Sequence, residues 1–366
     1  MTTTTTTTTT PRGATAVNPL AHGRLSRRTP LLILASSLVV SAAVFALFSV
    51  AGITEGFNPI GAAIVGVILY LVAIVIISRQ VEGSRQATDR FVTALVTGAF
   101  VIAILPLISL LITVVIRGLA RFDLEFFSSS MRNVTDDGGG AIHAIVGTLL
   151  MTGTAAIISI PIGLLAAIYL VEYGRGPLAR AITFFVDVMT GIPSIVAGLF
   201  AFALFAIFFG PGVRLGFAGA IALTVLMIPV VVRSCEEMLR IVPNELREAA
   251  LALGVPKWLT VLKVVLPTSI AGITTGIMLA IARVIGETAP LLIVAGFTAS
   301  MNYDLFSERM QSLPVFVFTS YANQGVDTQA FLDRAWAGAL TLILIVMVLN
   351  LTARLVARVF APKLGR

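Results

Sequence analysis

Residues 244–267 read "NELREAALALGVPKWLTVLKVVLP", a partly charged stretch set between two long apolar runs. Leu246, Ala249, Ala250 and Leu253 recur at i, i+3, i+4 and i+7, the spacing that gives a helix one apolar face. Asn244 can cap the start of that helix and Gly254 its end, and Pro256 suits the first position of a second short helix. On the second helix Trp258, Leu262 and Val265 are expected to share a face. An exposed pair of this kind needs a cover for its apolar stripe: the membrane surface, its own helix bundle or another protein.

The rest of the chain puts this segment beside a bilayer. Of 366 residues, 57% are hydrophobic and 12% charged, and the mean hydropathy is +1.00. Soluble proteins have about 45–50% apolar and about 25% charged residues, so an all-α polytopic membrane protein is expected. Runs near the ~20 residues that span a bilayer lie at 31–51, 59–78, 93–116, 142–171, 182–209, 217–233, 267–296 and 338–357, eight candidate helices in all. The formal charge of +7 comes from short basic groups between these runs, which points to topology and not to nucleic acid. With the tail carrying Arg24, Arg27 and Arg28 in the cytoplasm, the groups around Arg79 to Arg90, Arg175 and Arg180, residues 233–263 and the C-terminal end from Arg354 all fall inside. Both termini are then cytoplasmic. The Thr-rich stretch 1–30 is read as a disordered tail, since the apolar run that follows is too long for a cleaved signal and shows no small-residue cleavage site.

Several chemistries are excluded or weakened. One cysteine, Cys235, allows no internal disulfide, and two histidines give no metal cluster. No nucleophile, base and orienting group occur together, so no enzyme is expected. No G-x-x-x-x-G-K-[ST] stretch is present; "DDGGGA" at 136–141 lacks its lysine and reads as a flexible linker. His143 is expected to cap or hydrate the outer membrane boundary, and Asp187 to begin a helix as a solvated residue or as the partner of a distant arginine. Pro161, Pro193, Pro229 and Pro290 read as tolerated kinks, and Gly147, Gly153, Gly272 and Gly276 as close-packing positions.

Glu248, Ala249 and Ala250, then Gly254, then nine residues and Val264, Leu266 and Pro267 resemble the EAA loop of permease subunits of ATP-binding-cassette importers. Val264 stands where that family usually has Ile. The resemblance implies that 234–266 forms a coupling loop docking on a separate ATPase, with ATP and Mg²⁺ bound in that partner and no cofactor here. "MTGIPSIVAGLF", "ARVIGETAPLL", "MQSLPVFVF" and the segment from Gly140 to Gly174 resemble the A-type permease subunit of bacterial phosphate importers. That subunit works with a homologous second permease, a homodimer of ATPase subunits and an extracytoplasmic phosphate-binding protein. The likeness runs from about residue 93, leaving 31–90 as two additional helices before a permease domain at 91–366.

Arg283 and Glu287, four apart within "IARVIGETAPLL", are the charges hardest to place. An arginine at the centre of a span costs about 2.5–3.5 kcal/mol on insertion scales, so it needs a partner or a watery path. On one helix the two would share a face. They form either a buried ion pair fixing helix packing or an anion path in which Glu287 holds Arg283 and limits how tightly the anion sticks. A guanidinium fork suits phosphate oxygens. The resemblance marks Arg233 and Glu236, at the inner end of a span, as further transport residues; interfacial anchoring is the competing reading. Sulfate or molybdate are alternative cargoes, and a proton-coupled secondary transporter using Glu287 is a different class.

Overall fold

The computed structural model describes residues 25–26, 28–52, 56–135, 137–325 and 327–360. Most of the expected N-terminal tail, together with Lys363 and Arg366, therefore lies outside the described residues. The chain divides into two compact units, 1–110 and 111–366, whose boundary falls within one long helix.

In the first unit α1 (Thr29–Val50) and α2 (Pro59–Val81) pack through small residues. Ser41 donates to the Ala62 carbonyl at 2.6 Å, and Gly66 lies against Leu38. A hydroxyl that bonds backbone and a missing Cβ both let two apolar helices approach closely where no hydrophobic gain drives them together. Beyond α2, buried Glu82 accepts both arms of the Arg90 guanidinium at 2.5 and 2.8 Å, the Ser78 hydroxyl and the Leu25 N–H. Arg90 belongs to α3 (Ser84–Gly118), which leads out of this unit.

The second unit is built on α5 (Ile142–Ile168), α8 (Gly216–Ile241) and α11 (Leu266–Val284). Their shared core includes Met151, Leu223, Met227, Val231, Ile273 and Ala280. Gly163 lies against Val231, Gly272 against Met238 and Gly276 against Ser234, whereas Gly153 meets nothing. Three of these glycines are thus contact positions and Gly153 is not. α14 (Thr328–Phe360) completes the bundle and starts ten residues before the expected 338. The stretch between the expected spans 267–296 and 338–357 contains α13 (Leu313–Ala322), whose N-terminal turn is buried. The Leu313 N–H donates to Thr148 at 2.7 Å. Gly147 lets the chain at Gln311 approach α5, since a Cβ there would fall 2.1 Å from the Gln311 carbonyl oxygen.

Among the described residues, seven helices are long and apolar enough to cross a membrane, and an eighth crossing exists if one bent pair counts as a single span. Among the described residues there is no strand. The bent pair is α6 (Pro177–Thr190) and α7 (Ser194–Phe209), meeting at 109° where 182–209 is expected to be one helix. Gly191 and Pro193 cause the break, because Pro193 has no N–H to continue the ladder and starts α7 as its cap. Pro290 likewise stands at the start of a helix, while Pro161 and Pro229 lie inside α5 and α8. His143 is buried in the first turn of α5, edge-on to the Phe316 ring, and Ala141 is the cap. The glycines of 136–141 are held rather than loose: Gly139 donates to Glu125 at 3.0 Å, and Arg121 and Arg334 donate to the Gly139 and Gly138 carbonyls. α4 (Leu124–Ser128) carries Glu125.

Candidate functional site: the α8–α11 connection and the arginine positions

The segment joining α8 to α11 folds first into α9 (Asn244–Ala252). Its cap is Pro243, not Asn244, whose side-chain oxygen accepts from Arg247 at 3.1 Å. The end is as expected. Gly254 adopts φ +78, its N–H donates to the Leu251 carbonyl, and the Val255 N–H donates to the Ala250 carbonyl. These two bonds form a Schellman motif, which requires the left-handed conformation that glycine takes without a Cβ penalty. Leu246, Ala249 and Leu253 of the apolar stripe are exposed, as is Glu248; Ala250 is buried. At 84% exposure Leu253 has no cover within the chain.

The second short helix is not separate. α10 (Lys257–Thr260) passes through a π-helical turn, Val261–Val265, directly into α11, with Leu266 against the core and Pro267 in its first turn. The π turn changes the register, so Trp258 and Leu262 stay exposed while Val265 turns into the core. One face for all three is therefore not observed. Val264 is partly buried in the same turn.

Arg233 and Glu236 come together with Asp187, from another helix, and with Arg240, one turn along the same helix. Arg233 donates through one nitrogen to Glu236 at 2.9 Å and through the other to Asp187 of α6. Buried Glu236 also accepts from Arg240 at 2.5 Å. Two cations and two carboxylates thus close a neutral network between α8 and α6. Asp187 is the partner of a distant arginine, but it lies in the last turn of α6 and does not begin a helix.

Arg283 and Glu287 do not pair. α11 ends at Val284, Gly286 follows, and the Glu287 N–H donates to the Val284 carbonyl as the chain turns into α12 (Ala289–Val294). Pro290 cannot donate to the Gly286 carbonyl four residues back, so the helix cannot continue and the shared face is lost. No ion pair joins the two side chains, and among the described residues no carboxylate oxygen lies within 4.0 Å of the Arg283 guanidinium. The register set by Gly272 with Met238 and Gly276 with Ser234 brings Arg283 level with Met227, near the middle of α8. Thr275, Leu279 and Arg283 form an exposed line along α11.

At the opposite end of α8 from α9, Arg214 and Arg309 both pack beside Gly296 and line a recess of about 390 Å³ with Thr298 and Glu308. Arginines therefore occur at three levels along α8: beside its N-terminal end, at its middle and in its C-terminal third.

Residues 159–366 match the family described as binding-protein-dependent transport system inner membrane component. The phosphate transport system permease protein PstA 1 of Mycobacterium tuberculosis is 45% identical over 77% of this chain and 92% of its own length. The PstA protein of Yersinia pestis is 37% identical over 78% of this chain and 94% of its own. Among solved structures, a bacterial alginate ABC transporter shares the fold with TM-score 0.54 at 14% identity, covering 76% of this chain and 97% of its own. An inward-facing MetNI methionine ABC transporter does so with TM-score 0.50 at 20% identity, covering 60% and 96%. The chain belongs to the binding-protein-dependent transport system inner membrane components, and is a multi-pass permease subunit of an ATP-binding-cassette transporter.

Proposed function

We propose that this chain is one of two homologous permease subunits of an ATP-driven importer that carries inorganic phosphate across the cytoplasmic membrane. Arg283 is the observation that carries the reading: a guanidinium at mid-depth, exposed on the isolated chain and paired with no described carboxylate. A cation so placed is too costly against lipid and suits a water-filled path whose cargo is an anion. The fork of an arginine takes two oxygens of a tetrahedral oxyanion at once, which a lysine cannot. Arg214 and Arg309 supply positive charge at the outer end, and Arg233 stands nearer the cytoplasm with its fork shared between Asp187 and Glu236. An anion reaching Arg233 displaces Asp187, so binding there is weak enough for release. The names of the similar permeases support phosphate as the cargo.

The motor is a partner. α9 presents Glu248, Ala249, Leu246 and Leu253 to the cytoplasm ahead of Gly254, a face suited to a groove on an ATPase homodimer that binds ATP and Mg²⁺. A binding protein outside the membrane delivers phosphate, and both termini of the chain are cytoplasmic. The test is uptake of labelled phosphate by the reconstituted complex with sulfate and molybdate as competitors. ATP-dependent uptake that excess sulfate and molybdate leave intact supports phosphate; equal competition or transport without ATP contradicts it.

A further inference from the structure

The coupling segment holds a part of the molecule to which it is not connected in sequence. α5 ends in a second π-helical turn, Tyr169–Tyr173, more than 70 positions before α9. From α9, Arg247 donates through Nε to the Glu172 carboxylate at 2.9 Å. Its remaining nitrogens donate to the Leu239 carbonyl at 2.8 Å and the Val242 carbonyl at 2.5 Å, at the end of α8. The side chains of Arg247 and Glu172 are only 15% and 6% exposed. From α10, Lys257 donates to the Glu172 carbonyl and lies 5.0 Å from the centre of the Tyr173 ring. Both arms of the coupling segment therefore hold Glu172, in the π turn that follows α5.

We infer that Arg247 and Glu172 form the joint that transmits movement of α9 to α5, making Arg247 a positioning residue for coupling. Backbone continuity already ties the segment to α8 and α11, and α5 is the remaining core helix without a covalent link to it. Three charge-assisted or backbone bonds from one planar guanidinium fix α9 in orientation as well as position. The receiving end is a π-helical turn, a single-turn interruption of the α ladder of the kind that recurs at functional sites. The inference rests on α9 docking on the ATPase, and does not depend on which anion is carried.

The test uses the full complex in proteoliposomes, with ATP hydrolysis and phosphate uptake measured on the same sample. Arg247→Lys keeps the charge but cannot reach all three acceptors, and Glu172→Gln keeps the size but removes the ionic bond. Both should assemble and hydrolyse ATP while transporting about tenfold less phosphate per ATP. A second measurement is independent of cargo. Spin labels at Glu245 and Arg175, both exposed, should keep one distance in nucleotide-free and ATP-bound complexes and separate in Glu172→Gln. An unchanged uptake-to-hydrolysis ratio in both variants, a loss of uptake that only follows loss of complex, or a label distance that changes with ATP in the unsubstituted complex overturns the joint. Absence of phosphate uptake by the unsubstituted complex, with the label distance constant, overturns the phosphate reading alone.

Discussion

Arg233 of α8 and Asp187 of α6 are 46 positions apart and form an ion pair that links the broken span to the core. Because Glu236 binds the other arm of the same guanidinium, Arg233 is neutralised while both contacts hold. Asp187→Asn should free one arm without unpairing the buried carboxylate. Phosphate should then be retained more tightly, lowering the maximal uptake rate while the half-saturating concentration stays or falls. Uptake measured against phosphate concentration checks this, and an unchanged curve would count against a role for the pair in release.

Gly254 is positioned by backbone geometry alone. Its φ of +78 is left-handed, and a Cβ there would meet nothing within 4 Å. Gly254→Ala should therefore cost about 1–2 kcal/mol from conformation only, and Gly254→Asn less. Gly254→Val should disturb the end of α9 most, so that ATPase association and uptake fall together in the order Asn, Ala, Val. Co-purification of the ATPase with each variant measures it.

The junction of α2 and α3 should depend on pH. Hydrogen bonding from Arg90 foremost, with help from the Leu25 N–H and Ser78 and against the cost of burial, lowers the Glu82 carboxyl from 4.5 to about 2. A carboxylate depressed in the folded state stabilises it above the unfolded value and ceases to do so as pH falls from 4.5 towards 2. Hydrogen exchange at the Leu25 amide, corrected for its intrinsic rate, should show protection falling through that window. Glu82→Gln should remove the dependence.

Much of this architecture is legible in the residues. Apolar runs locate the spans, and the spacing of Leu246, Ala249, Ala250 and Leu253 with Gly254 beyond gives α9 and its end. The breaks at Gly191–Pro193 and Gly286–Pro290 are also written in the sequence. They are missed when each proline is taken as a kink, although a glycine a few residues before a proline removes both the propensity and the hydrogen bond that would carry a helix through. That reading also produces the expected Arg283–Glu287 face, which needs one continuous helix. Pairing across the fold is different in kind. Nothing in spacing joins Arg233 to Asp187 or Arg247 to Glu172, because those contacts arise only when α8 packs on its neighbours. The inward turn of Val265 depends on a π-helical register that no periodicity of 3.6 anticipates.

Arg283 bears most directly on the account, through phosphate uptake normalised to intact complex recovered from the same membranes. With no ion pair to break, Glu287→Gln should assemble normally and keep most uptake. Arg283→Lys should also assemble, because charge is retained, yet lose about tenfold in uptake as the fork is lost. Full uptake in Arg283→Lys, or uptake falling only in proportion to recovered complex, would contradict the placement of Arg283 in the path of the anion.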